Sequence, residues 1–396
     1  MTTELLQKMN IDKSNWALVK FGDVVFEPKE NMKDASAEGI LHVVGLEHID
    51  SGDIHLRKSA SIEDSTTFTK KFKKFDVLFG RRRAYLKKAA QASFDGICSG
   101  DITVFRAKEN VLPEILPFIV NNDNFFDYAV KHSAGGLSPR VKFRDLEEYK
   151  FLLPSKEEQK EIAKLLWAMD EVIEKEKENR DKYNIFYQRY LFDTVSGKVS
   201  KNRWREYVFG ELGNTFGGLT GKTKDDFGIG APFVTYMNVF SNTKINPNQV
   251  EYVKIDKGEN QNELRYGDIL LTGSSETPHE VGMSSVVLDN LKGFYLNSFC
   301  FGFRLHDFKT LLPEYARYLM RGNEVRTFMS LRAQGSTRFN LSKTIVRTKL
   351  KVRLPKINEQ KEIVLKLEKF EDNLISFQIK IESSQSLQKS IINQIF

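Results

Sequence analysis

The stretch "LPSKEEQKEI", Leu153 to Ile162, returns downstream as "LPKINEQKEI", Leu354 to Ile363, with Leu, Pro, Glu, Gln, Lys, Glu and Ile kept in register. A repeat of that length is too long for chance, and it governs every other reading of the chain. Working outward, "WALVKFGDV" from Trp16 returns as "WREYVFGEL" from Trp204, and "FDVLFG" (Phe75 to Gly80) parallels "GDILLTG" (Gly267 to Gly273). "LPE" at Leu112 recurs at Leu312, and "GGLSPRVKF" near Arg140 parallels "QGSTRFNLS" near Arg338. The chain therefore reads as two copies of one unit. Globular parts at 1–153 and 204–354 are each followed by a long helix, at 154–192 and 355–396, with a linker at 193–203.

The length, 396 residues, exceeds the roughly 250 to 300 at which one hydrophobic core stops growing, which agrees with two units. Short β-branched or aromatic runs bounded by Gly, Asn and Asp ("DVLFG", "DITVFRA", "APFVTYMNV", "GDILLTG", "FYLNSFCFGFRL") read as strands. "LPEILPFIVNNDNFFDYAVKHS" and "LPEYARYLMRGNEVRTFMSLRAQG" have helical spacing, with Pro near the start and, in the second, Gly at the end. The fold class is α+β.

After Pro154, the residues Ile162, Leu166, Met169, Ile173, Tyr183, Tyr187 and Tyr190 fall on one heptad stripe, interrupted by Glu176 and Arg180. After Pro355, Ile363, Leu367, Phe370, Leu374, Phe377, Ile381, Ile391 and Ile395 do the same, interrupted by Ser384 and Gln388. Neither helix can bury its stripe alone. The connectivity predicts an antiparallel coiled coil of the two, a globular part at each end and a pseudo-twofold relation between the copies. A rod on the order of 50 Å spans about one and a half turns of B-DNA, a geometry for two readers on one duplex.

Net charge +7 and a pI near 9.0 lean toward a polyanionic partner. Cys98 and Cys300 are too few for a disulfide framework or a four-ligand zinc site and read as buried thiols. No apolar run of membrane-spanning length and no leader pattern occurs, so the expectation is a cytoplasmic protein without membrane contact. "GGLTGKT" from Gly217 leaves only three residues between its first Gly and the Gly-Lys pair, where a phosphate loop needs four. "FGIGAP" at Phe227 precedes a strand-like run, the wrong order for a nucleotide loop, and reads as a turn. His42, His48 and His55 lack metal-ligand spacing, so no metal and no catalytic residue is assigned. A self-contained nuclease or methyltransferase with two recognition domains is the alternative, but two readers and two rods leave no residues for a catalytic module. A coiled-coil adaptor without a nucleic-acid role is a third reading.

The "LP....EQKEI" boxes, the "W....FG[DE]" starts, "DVLFGRRRAYLKKAA" with "FDGICSGD", "GDILLTGS" and "GSTRFNLS" together resemble the specificity subunits of type I restriction-modification enzymes, over essentially the whole chain. The pattern departs at Phe75-Asp76, where Gly-Asp is usual. The resemblance implies two target-recognition domains, each reading half of a bipartite, asymmetric site in double-stranded DNA. It also implies a spacer on which modification (methyltransferase) subunits dock, and a motor-nuclease subunit that joins for restriction. S-adenosylmethionine, ATP and Mg are then expected in those partners, with no cofactor on this chain.

Within "KKFKKFDVLFGRRRAYLKK" (Lys70 to Lys88), Arg81, Arg82 and Arg83 follow a strand and are candidates to read guanine or clamp phosphate, with Lys87 and Lys88 as phosphate contacts. Lys70, Lys71, Lys73 and Lys74 fit a solvated face equally well. Arg140 joins the first set. In the second copy Ser274, Ser275 and Thr277 are candidates for base edges, and Lys222, Lys224 and Arg338 for phosphates. Ile162, Leu166, Met169, Ile173, Ile363, Leu367, Phe370 and Leu374 are candidates for the coiled coil and subunit docking.

Overall fold

The computed structural model describes residues 12–32, 39–64, 67–198 and 204–396, and it gives the repeated Glu-Gln pair a physical reason. Glu158 accepts a hydrogen bond from the Trp16 indole at 3.1 Å, and Glu359 accepts one from the Trp204 indole at 3.1 Å. The neighbouring Gln159 accepts from the Leu112 amide at 2.9 Å and donates to the carbonyls of Asn110 and Pro154. Gln360 does the same with the Leu312 amide at 2.9 Å and the carbonyls of Thr310 and Pro355. Both amides are buried and fully used, which is the condition under which a buried polar group costs nothing. One Glu-Gln pair thus ties the first Trp, the Leu-Pro-Glu turn and the helix start together in each copy.

The globular parts share a plan. Each opens and closes on one antiparallel strand pair, Ala17–Lys20 with Lys150–Leu153 and Arg205–Val208 with Lys351–Leu354. Each has a four-stranded antiparallel sheet in the same order. In the first copy the order is Val25–Phe26, Ile102–Ala107, Val77–Gly80, Ala89–Gln91; in the second it is Gly213–Gly217, Cys300–Leu305, Ile269–Thr272, Ser284–Val286. Beside it lies a smaller sheet with one parallel pair, His42–Val44 with Gly96–Cys98 and Phe227–Val234 with Tyr295–Leu296. Ahead of the central strand, Asp76 and Asp268 are buried and each is held bidentately, by Arg106 (2.8 and 2.7 Å) and Arg304 (2.8 and 2.7 Å). Phe75 takes φ +73°, the left-handed conformation that Gly267 takes at +86° in the other copy. The departure from Gly-Asp therefore keeps the turn and accepts the strain.

Several expected elements are broken. The run from Leu112 forms two helices, Leu116–Val120 and Asp123–Lys131, because the Asn122 side chain caps the second by accepting from the Asn124 amide at 2.7 Å. Its counterpart splits into Pro313–Leu319 and Asn323–Arg332. "APFVTYMNV" leaves its strand at Val234, and Thr235 caps a helix Tyr236–Ser241. "FGIGAP" belongs to the strand Phe227–Val234, whose register shifts between Phe227 and Ala231 while Gly228 and Gly230 stand at φ +106°. "FYLNSFCFGFRL" is two strands, Tyr295–Leu296 and Cys300–Leu305.

The long helices are Lys156–Val195 and Ile357–Ile395, the first running past the expected linker start. The chain forms two compact units, Met1–Glu178 with Phe377–Phe396, and Asn179–Ser376. In the first unit Leu166 packs with Trp16, Phe118, Ile391, Ile392 and Ile395. There Gln388 donates to the Leu166 carbonyl at 3.1 Å, and Ser384 donates to Glu176 at 3.1 Å. The polar interruptions Glu176, Ser384 and Gln388 therefore satisfy one another or the backbone, while Arg180 pairs with Asp181. In the second unit the Phe370 ring lies 5.1–5.7 Å from Tyr183, Phe186, Tyr187 and Tyr190. Tyr187 donates to Glu371 at 2.9 Å and Asn373 to the Tyr183 hydroxyl at 2.7 Å. Rising numbers meet falling ones in both units, so the helices pair antiparallel. No helix among the described residues is long and apolar enough to cross a membrane.

The residues expected for the coiled coil and subunit docking lie along the paired helices. Leu166, Ile173, Ile363 and Leu367 are buried, while Ile162, Met169, Phe370 and Leu374 are half-buried and packed into the cores. Burying a side chain such as Leu166 is worth about 1.5–3 kcal/mol. The apolar residues the helices leave exposed are others, among them Ile185, Phe186, Leu365, Ile375 and Ile379.

Candidate nucleic-acid interface

Each central strand runs on into a short ledge held against a second loop, and backbone hydrogen bonds fix which residues correspond. In the first copy the Arg81 amide donates to the Asp101 carbonyl at 3.0 Å and the Val141 amide to the Arg81 carbonyl at 3.1 Å. Arg82 bridges Arg140, and Arg140 in turn bridges Ala134. In the second copy the Gly273 amide donates to the Phe299 carbonyl at 2.8 Å and the Leu341 amide to the Gly273 carbonyl at 2.9 Å. Ser274 pairs with Asn340, Ser275 with Phe339, and Asn340 bridges Gln334. Arg81, Arg82 and Arg83 thus occupy the places of Gly273, Ser274 and Ser275, and Asp101 the place of Phe299. The sequence comparison had set Arg140 beside Arg338. The bonds place Arg140 with Asn340 and Arg338 with Ser138, a shift that only the strand register reveals.

The first ledge is cationic and self-organised. Arg140 donates to both Asp101 carboxylate oxygens, at 2.7 and 3.3 Å, and Arg82 reaches the same carboxylate at 3.4 Å. Arg82 and Arg83 both donate to the Ser138 hydroxyl, at 3.1 and 3.4 Å. The hydrogen bond from Arg140 holds the Asp101 carboxyl below the usual carboxylate range, against a smaller opposing effect of burial. Two guanidiniums on one carboxylate, with a third held beside them on Ser138, leave an excess of positive charge in a fixed array. Beyond them the chain turns sharply: Arg83 (φ +55°) and Lys87 (φ +49°) are both left-handed and flank the turn Ala84–Leu86, which leaves Tyr85 and Leu86 exposed. Each such residue costs about 1–2 kcal/mol, and strain of this kind gathers at functional sites.

The two lysines after the arginines are occupied. Lys87 pairs with Asp123 at 2.5 Å, and Lys88 donates to the Leu46 carbonyl at 2.7 Å. Lys70 is tied to Glu27 at 3.0 Å and to the Ile102 carbonyl at 2.9 Å. In the second copy Lys222 is almost wholly buried against Glu259 at 2.5 Å, so its charge is spent inside the fold. Lys224 and Thr277 are exposed.

The second ledge carries hydroxyls, carboxylates and aromatic rings instead. Ser275 donates to Glu280 at 2.7 Å, and Tyr236 donates to the Ser274 carbonyl at 3.0 Å. The Arg338 guanidinium stacks over Phe299 at 5.0 Å. These residues and Met237, Phe240, Glu276 and Thr337 line a cleft of about 550 Å3. Reading the sequence missed Asp101, Ser138, Tyr236, Glu276 and Phe299. Asp101 and Phe299 were findable, because each stands four residues before the aromatic, Phe105 or Phe303, that pairs with the start of the central strand.

Away from the ledges, His55, Asp170 and Glu174 bring their ligand atoms within 4.8 Å of one another. Arg57 lies 2.8 Å from Glu174 and Lys177 2.9 Å from it, while His55 meets Asp170 at 2.7 Å. Glu174 is already paired with two cations and Asp170 with His55, so the group is a polar latch between the first globular part and its helix. Cys98 and Cys300 are buried, and burial pushes each thiol up to about 12, which leaves them unreactive.

A family model described as the type I restriction modification DNA specificity domain matches residues 13–182 and again 202–383. The specificity subunit of the EcoDI type I restriction enzyme of Escherichia coli is 26% identical over 198 residues, 48% of this chain, and the match spans only 44% of that protein's length. Among solved structures, a chain from work on complex assembly and conformational transition of the type I R-M system superposes with a TM-score of 0.63 at 21% identity, covering 96% of both chains. The HsdS subunit from Thermoanaerobacter tengcongensis (TM-score 0.51, 21% identity, 96% of both) is similar. So is the type I S subunit from M. genitalium (0.51, 13%, 98% of both). At such identities these structures speak for the fold. The family model does more, since its two matches coincide with the two copies that share one strand order, one buried Asp-Arg pair and one Glu-Gln clasp: the chain belongs to the type I restriction-modification DNA specificity family, with two such domains in tandem.

Proposed function

We propose that this chain supplies sequence recognition to a type I restriction-modification complex, each ledge reading one half of an asymmetric, split site in double-stranded DNA. The observation that carries this reading is the pair of ledges: one backbone register, two different chemistries. A palindrome needs like readers, whereas unlike readers at equivalent positions suit unlike half-sites. The fixed guanidiniums of the first ledge fit guanine O6/N7 or phosphate; Arg338 at the second ledge and Lys224 elsewhere in that domain are exposed to take phosphates. Lys87, Lys88 and Lys222 are proposed only as supports. The exposed apolar residues of the paired helices, Ile185, Phe186, Leu365, Ile375 and Ile379, suit the docking of modification subunits. Methyl transfer with S-adenosylmethionine and ATP-driven cleavage with Mg then belong to partner subunits, and this chain is non-catalytic.

The test is to express the chain with its modification partner and map methylated adenines across the host genome. Two different half-sites around a constant gap are expected. A continuous or palindromic motif would overturn the reading.

A further inference from the structure

We infer that the cleft beside the second ledge is selective for cytosine, with Glu276 as the residue that reads it; the inference rests on the DNA-reading function proposed above. The cleft carries two carboxylates, Glu276 and Glu280, on a wall expected to meet a polyanion. A carboxylate facing phosphate would be repelled, so it is tolerated there only where it meets a donor, and the donors of a duplex lie on base edges in the grooves.

The two carboxylates differ in readiness. Glu280 already accepts the Ser275 hydroxyl at 2.7 Å, which fixes it and turns that hydroxyl's proton inward. Glu276 is exposed and, among the described residues, has no hydrogen bond or ion pair. Glu276 is therefore the open acceptor of this wall, beside the Thr337 hydroxyl and the Arg338 guanidinium.

An acceptor-only group discriminates among the four bases by charge. In the major groove guanine presents O6 and N7 and thymine O4, all acceptors, and each would repel a carboxylate. Adenine offers its N6 amine next to the N7 acceptor, so attraction is partly cancelled. Cytosine offers the N4 amine, and beside it only the apolar C5 edge. The cleft supplies a matching apolar flank, Phe299 and Met237, each 53% exposed. Arg338, stacked over Phe299, places a cation at the rim where a phosphate would pass. Rejection of the wrong base by repulsion is as much a part of specificity here as the bond to the right one.

The experiment is selection of bound duplexes from a randomised pool by the full chain assembled with its modification subunits, as wild type, Glu276→Ala and Glu276→Gln. Wild type is expected to enrich a split motif with cytosine at one position of one half-site. Glu276→Ala should lower discrimination at that position by about tenfold or more. Glu276→Gln, with an amide that can both donate and accept, should move the preference to adenine. The other half-site should not change in either variant, which serves as the internal control. A split wild-type motif that both variants leave unaltered overturns the role of Glu276 and leaves the two-reader function standing. Loss of all binding by both variants, with unfolding temperatures like wild type, also overturns it, because a reader of one base does not abolish affinity. No split motif from wild type overturns both.

Discussion

The two ledges occupy equivalent places in two sheets of the same strand order and differ in chemistry. In the first, Arg82, Arg83 and Arg140 converge on Asp101 and Ser138; in the second, Ser274, Ser275, Glu276 and Phe299 border an open cleft. At the other end of each central strand stands the same device, a buried aspartate clasped by an arginine from the neighbouring strand. The fold thus separates what must not vary from what can: buried charge is expensive to disturb, whereas side chains beyond the last strand bond can be exchanged at little cost to stability.

The strongest way to break this comparison is to attack the shared device. Arg106→Met or Arg304→Met would leave Asp76 or Asp268 buried without its partner, at a cost of about 3–5 kcal/mol, measurable by chemical denaturation. Similar losses in the two variants are expected, and a large loss in one alone would show that the frames are not equivalent.

Next in size is the contrast in electrostatics. Arg82→Ala and Arg83→Ala should each weaken duplex binding by the assembled complex by about 1–3 kcal/mol. If a phosphate contact is lost, the salt slope should shrink by about one unit. Ser274→Ala, at the equivalent place, should leave that slope unchanged, and equal slopes for all three variants would erase the distinction.

A third, smaller effect tests the turn before each strand. Phe75→Gly relieves a left-handed residue and should stabilise the protein by about 0.5–1 kcal/mol, whereas Gly267→Ala should destabilise it by about 1–2 kcal/mol. A Cβ at Gly267 would lie 2.6 Å from the Phe308 ring. Thermal unfolding of both variants reads the asymmetry.

The smallest effect belongs to the latch found in the first copy. The hydrogen bond to Asp170 raises the His55 pKa above its usual 6.5, against an opposing effect of burial and despite Arg57 nearby. Since the folded value is the higher one, this contribution to stability is complete below about pH 6.5 and fades as pH climbs through the folded value. Stability measured across neutral to mildly alkaline pH should therefore fall more steeply for the wild type than for His55→Gln. Parallel curves would remove His55 from the latch.

Much of the fold was legible because the repeat is carried by residues that make the same bond twice. Trp16 and Trp204, Gln159 and Gln360, Asp76 and Asp268 recur because each has one geometry to satisfy, and a recurring letter then marks a recurring contact. The heptad stripe was legible because its residues close the seam between the two long helices. Charge was a poorer guide to the candidate site. Lys87, Lys88 and Lys222 look like phosphate ligands in the sequence, yet Asp123, the Leu46 carbonyl and Glu259 take them up across 36 to 42 residues of intervening chain. Such partners cannot be assigned without the register of distant strands. The cleft of the second copy was hidden for a related reason: Tyr236, Glu276, Phe299 and Thr337 are scattered along the sequence and meet only through strand pairing.

The core around Trp16 and Leu166 is completed by Ile391, Ile392 and Ile395, which sets an order for biosynthesis. The amino-terminal domain leaves the ribosome first but lacks part of its interior until Ile391, Ile392 and Ile395 have been translated. Until then it must linger with an apolar flank uncovered, open to chaperones and proteases. Replacing Ile391, Ile392 and Ile395 together by Ala would therefore injure the half of the protein made first.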